Sequence, residues 1–74
     1  MKDEVMKLKN RLRNAIVILQ NETGEIEIST TYTNANIIIM KCLINGIEPT
    51  SEDLDFVKLI VDCYEEQASG MTAV

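Results

Sequence analysis

Residues 42–54 read CLINGIEPTSEDL, and within them one helix stops and another starts. If Asn45 is the last capping position, Gly46 falls at the left-handed position that a residue without a β-carbon occupies freely. Ile47 then lands where it can touch Cys42, completing a Schellman-type end. Pro49 forbids continuation. The Thr50 hydroxyl can accept from the Asp53 amide while Asp53 reaches back, a short capping box with Pro49 and Leu54 as its hydrophobic staple. Glu52 and Asp53 sit at the positive end of the helix dipole. Downstream, Leu54, Val57, Ile60, Val61 and Tyr64 recur at helical spacing, widened by Phe56 and Cys63, with Asp55, Lys58, Asp62, Glu65 and Glu66 facing out. This predicts a third helix over about 51–67, closed by Ser69 and Gly70, with a frayed tail at 71–74.

Upstream of the corner, NIIIMKCLIN suits a strand by its three consecutive isoleucines, but its length and terminal signals decide for helix. The threonines and Asn34 offer N-caps, so the second helix is predicted to begin between Thr31 and Asn34. It is apolar nearly all round, which implies burial on more than one side, between its neighbours or at a dimer face. GEIEIST, from Gly24 to Thr30, alternates like a strand without a partner in the chain, and is read as an extended connector whose Ile26 and Ile28 plug the core. Before it, Val5, Leu8, Leu12, Ala15 and Leu19 form the seam of a first helix over about 2–21, widened by Met6, Ile16, Val17 and Ile18 and ended by Asn21, Thr23 and Gly24. The expected architecture is all-α: one three-helix domain over residues 1–70, with an extended link after the first helix.

Seventy-four residues lie near the lower limit at which one core outweighs chain entropy, so outside help is expected. Disulfides are not expected to supply it: Cys42 and Cys63 each lie in an apolar segment and read as buried thiols of a reducing compartment. No histidine completes a metal site, and no cofactor is implied. The charged first turn (Lys2, Asp3, Glu4) argues against a signal peptide, and no apolar run is long enough to span a membrane, so the expected location is the cytoplasm. With 46% apolar residues and almost no aromatics, the aliphatic surplus predicts a homodimer or higher oligomer.

The net charge of −5 hides an asymmetry. Five of the seven basic residues, Lys2, Lys7, Lys9, Arg11 and Arg13, precede residue 20, and beyond it only Lys41 and Lys58 offset the acids. The simplest expectation is that the two halves attract each other within or between chains. No phosphate loop or nucleophile context is present, and nothing around Glu25/Glu27 or Glu65/Glu66 suggests a pocket that would raise a carboxyl pKa toward neutrality. Neither cysteine has the cationic surroundings of a reactive thiol. Lys7, Arg11 and Arg13 are the candidate anion-binding residues; the acidic remainder and the lack of aromatics among them argue against nucleic acid.

Asn34, Ala35, Gly46, Ile47, Glu48 and Pro49 lie in a stretch, 34–62, that resembles the helix–turn–helix signature of the VbhA-type antitoxins, which inhibit Fic-domain adenylyltransferases. The resemblance implies a helical corner and a compact protein that binds another protein. That family's inhibitory motif places a Ser or Thr, then three residues, then a Glu before Gly or Asn. In register with Gly46, Lys41 replaces the hydroxyl residue and Asn45 the glutamate, so the key carboxylate is missing.

Together these signs point to a non-enzymatic module that occupies a surface of a partner protein, an inhibitor or antitoxin-like protein of the kind carried by phages or mobile elements. Its expected partner-binding residues are Glu52, Asp55, Asp62 and Glu65. The alternatives are an oligomer that sequesters a nucleotide-like anion through Lys7, Arg11 and Arg13, or a small DNA-binding regulator using the first helix.

Overall fold

The computed structural model describes residues 2–24 and 29–72. They form three helices: α1 (Lys2–Thr23), α2 (Thr30–Asn45) and α3 (Ser51–Thr72). All five seam positions of α1 are buried, Val5, Leu8, Leu12, Ala15 and Leu19. Val5, Leu8 and Leu12 meet Ala35, Ile39 and Cys42 of α2 and Val57, Ile60 and Val61 of α3 in one core. A satellite cluster of Ala15, Leu19 and Ala68 closes the far end, with Tyr64 packed against both clusters. Each buried Val, Leu or Ile side chain contributes roughly 1.5–3 kcal/mol of transfer free energy.

The side-chain pairs fix helix direction. Glu4 meets Lys58, Arg11 meets Asp62 and Glu65, and Ala15 and Leu19 meet Ala68, so α1 and α3 run parallel. Between them α2 returns, its N-cap Ser29 lying within 3.3 Å (Oγ to Oη) of Tyr64, late in α3. Tyr32 and Tyr64 pack edge to face there, ring centroids 5.8 Å apart. The result is an up–down–up bundle of 39 × 19 × 18 Å.

At the corner the left-handed glycine and the threonine cap stand where the sequence put them, while the end of α2 is not of Schellman type. Gly46 has φ +71°, and Pro49 precedes the Thr50 cap, whose Oγ1 accepts from the Asp53 amide at 3.1 Å. The Gly46 N–H donates to the Cys42 carbonyl and the Ile47 N–H to that of Lys41, both at 3.1 Å, so each bond reaches one residue further back than a Schellman pattern requires and the first is the bond of the simpler αL cap.

Other expectations are corrected. The cap of α2 is Ser29, whose Oγ accepts from the Tyr32 amide at 3.1 Å, and the helix begins at Thr30 rather than between Thr31 and Asn34. Helix α3 passes Gln67, Ser69 and Gly70 and runs to Thr72, because Ala68 is buried against α1 and packing there outweighs the poor propensity of glycine. Cys42 is buried, but Cys63 is exposed. At 100° per residue it lies on the flank away from Val57, Val61 and Ala68, so apolar type misled where angle decides. Met6 and Val17, expected to widen the α1 seam, are 44% and 45% exposed, while Ile16 and Ile18 are half-buried. The connector expected at Ile26 and Ile28 lies outside the described residues, as do residues 73 and 74 of the expected tail.

Candidate functional site

Helix α3 carries two faces beyond its core stripe. Glu52, Asp55, Leu59, Asp62 and Glu66 recur at spacings of three, four, three and four and form one line on its outer side, all exposed. Leu59, at its centre, is 60% exposed. Beside it lie half-buried Phe56 and exposed Cys63, giving a narrow apolar strip bordered by carboxylates. Nothing in the core requires a leucine at position 59, since Ile60 and Val61 already fill the inner face.

Of the four expected partner-binding residues, two are engaged within the chain. Arg11 Nε donates to Glu65 Oε2 at 3.0 Å, and Nη2 donates both to the other Glu65 oxygen and to Asp62 Oδ1, the latter at 3.1 Å. The hydrogen bond from Arg11 is the main reason the Glu65 carboxyl sits below its ordinary pKa; partial desolvation opposes it and the charge of Arg11 adds to it. The Arg11 guanidinium is correspondingly raised, first by its hydrogen bond to Glu65. A second pair joins Lys58 Nζ to Glu4 Oε1 at 3.1 Å. The side chains of these pairs are at least 38% exposed, so each pair contributes about 0.2–1 kcal/mol, with the forked Arg11 contact at the upper end. The attraction expected between the basic and acidic halves thus exists within one chain. Glu52 and Asp55 are left facing solvent with no ion pair among the described residues.

The expected anion-binding trio does not converge. Arg11 faces α3. Arg13, two residues and about 200° further round, lines a cleft of about 230 Å³ between α1 and α2 with Lys9, Ile16, Val17, Tyr32 and Asn36. Lys7 is exposed and lines neither this cleft nor the α1–α3 depression beside Arg11. The groove role of Lys9 was missed in the sequence because it depends on which flank α2 covers. A second apolar line, Ile37 and Ile44 on the outer side of α2, is 47% and 74% exposed, and Ile47 beyond the cap is 54% exposed.

No group of three or more His, Cys, Asp or Glu able to hold a metal occurs among the described residues, and none of their helices is long and apolar enough to cross a membrane. No protein-family model matches the chain, and no curated protein or solved structure is detectably similar to it.

Proposed function

We propose that this chain is a non-enzymatic protein-binding module, an inhibitor of antitoxin-like type, whose outer α3 face covers a basic surface of a partner protein. One observation carries the reading: Leu59 stands exposed at the centre of a line of carboxylates on a helix whose core face is already filled. A single exposed leucine is ordinary. An apolar centre with a charged rim is the anatomy of a protein interface, in which a few desolvated side chains hold the partner and the rim steers it in. Phe56 and Cys63 extend the centre, and Glu52 and Asp55 supply free negative charge.

The likeness of the Gly46–Pro49 corner to VbhA-type antitoxins supports the same class. With Lys41 and Asn45 at the positions of the inhibitory Ser/Thr and Glu, the proposed action is occupation of a surface, with no carboxylate delivered to an arginine.

The test is affinity capture from the native host cytosol, with mass spectrometry of the protein and nucleotide fractions. A protein captured by the native chain and lost with Leu59→Glu supports the reading. A nucleotide fraction enriched by the native chain and depleted by Lys9→Ser with Arg13→Ser, with no protein dependent on Leu59, would replace it with the anion-sequestering alternative.

A further inference from the structure

Internal pairing uses up only part of the charge asymmetry. Arg11 and Glu4 lie on the α3 flank of α1 and are satisfied there. Lys9 and Arg13 lie on the opposite flank, at the α2 cleft, and have no ion pair among the described residues. Lys2 and the exposed apolar Met6 and Val17 share that flank by helical angle. About 22 Å of α1, from Lys2 to Val17, therefore presents cationic Lys2, Lys9 and Arg13 with apolar Met6 and Val17 among them. The outer line of α3, about 21 Å long from Glu52 to Glu66, presents Leu59 among acids. The two surfaces carry opposite charge at matching spacing: Lys9 and Arg13 lie about 12 and 6 Å along α1 from Val17, as Glu52 and Asp55 lie about 10 and 6 Å along α3 from Leu59. They cannot meet within one chain, because α3 packs on the core face of α1 and turns its outer line away from the bundle.

We propose that the α1–α2 cleft takes the outer face of α3 from a second copy of this chain, with Leu59 seated beside Ile16 and Val17, and Glu52 and Asp55 facing Lys9 and Arg13. The contact joins unlike surfaces, so it is head to tail, and it propagates into a ring or an open chain of copies. It rests on the same α3 face as the partner reading and defines what that face selects: a helical surface with cations beside an aliphatic patch. In the free protein a second copy and the partner compete for it, so self-association holds the α3 face in reserve.

Sedimentation of the purified chain tests this, comparing the native protein with two charge-reversed forms, Lys9→Glu with Arg13→Glu and Glu52→Lys with Asp55→Lys. All four residues are outside the core. The native chain is expected to sediment well above 8.3 kDa at low salt and to dissociate as the screening length falls from about 10 Å at 0.1 M to about 3 Å at 1 M. Each reversed form alone should associate about tenfold or more weakly, and mixing the two should restore association, because each retains the surface its partner needs.

A native chain that stays monomeric overturns the proposal, and if Glu52→Lys with Asp55→Lys still abolishes partner capture, the partner reading survives that failure. Association insensitive to salt and to both reversals, but lost with Ile37→Ser and Ile44→Ser, overturns it in favour of the outer α2 line. Failure of the mixture to recover while both forms keep native helical content overturns it as well.

Discussion

The same substitution at two glycines is expected to have opposite effects. Gly46 has φ +71°, and a β-carbon built there meets nothing within 4 Å. The cost of Gly46→Ala is therefore purely that of the left-handed backbone, about 1–2 kcal/mol. The alanine chain loses less entropy on folding, which returns about 0.4–1 kcal/mol, leaving a net destabilisation near 1 kcal/mol. Gly46→Val should cost more, because a β-branched side chain tolerates this region least. Gly70 is also open, with nothing within 4 Å of its built β-carbon, but it lies inside α3 with helical dihedrals. There Gly70→Ala should stabilise by about 0.5–1 kcal/mol, reduced by its place in the last turn. Each kcal/mol moves the melting temperature of a domain this size by about 4–8 °C. Thermal and urea unfolding followed by circular dichroism read both changes. Equal signs at the two positions would refute the reasoning: either the α2 cap is not at Gly46 or α3 ends before Gly70.

Four further outcomes follow from the same contacts. Thr50→Ala removes the acceptor for the Asp53 amide and should cost about 1 kcal/mol in urea unfolding. Ile39→Ala, at 0% exposure in the centre of the core, should cost about 2–5 kcal/mol and leave a domain of this size largely unfolded at 37 °C by circular dichroism. A thiol reagent should modify Cys63 in the native state and Cys42 only on unfolding, and occupation of the α3 face should slow Cys63 modification, measured by intact mass. Because Arg11 lowers the folded pKa of Glu65 below its ordinary 4.5, this pair stabilises at neutral pH and its contribution is lost as pH falls from about 4.5 through the lower folded value. Glu65→Gln should therefore be less stable than the native chain at pH 7 by less than about 1 kcal/mol and converge with it in acid unfolding.

The α1 seam was fully legible, since five positions at spacings of three and four leave one helical face, and all five are buried. The corner was legible because glycine, proline and a threonine cap each restrict the backbone locally. What the sequence concealed depended on distant contacts. Ser29 competed as a cap with several neighbouring hydroxyls, and its proximity to Tyr64 belongs to tertiary structure. The continuation of α3 past Gln67 is carried by Ala68, whose small side chain gives no sign of burial until α1 is placed against it. Cys63 was misplaced by weighing residue type over helical angle. The charge asymmetry was visible, but which cations are consumed was not: Arg11 and Arg13 differ by two residues, and only the parallel packing of α1 and α3 shows that one is paired and the other open. Three of the four expected acids, Glu52, Asp55 and Asp62, lie on the outer line of α3, whereas Glu65 turns toward Arg11 and Glu66 takes its place; the apolar centre at Leu59 emerged once Ile60 and Val61 had filled the core.

The measurement that bears most directly on the proposed function is the association rate with a captured partner as a function of salt, for the native chain and two sets of variants. Glu52→Lys with Asp55→Lys reverses the free acids of the α3 face, and Lys7→Ser with Arg13→Ser neutralises two cations of α1 that have no ion pair among the described residues. Loss of steering should slow association of the acidic-face set by about tenfold or more at low salt and flatten its salt dependence, whereas the basic set should associate no more slowly than the native chain. Native kinetics in the acidic-face set, with loss confined to the basic set, would contradict the account and place the binding surface on α1.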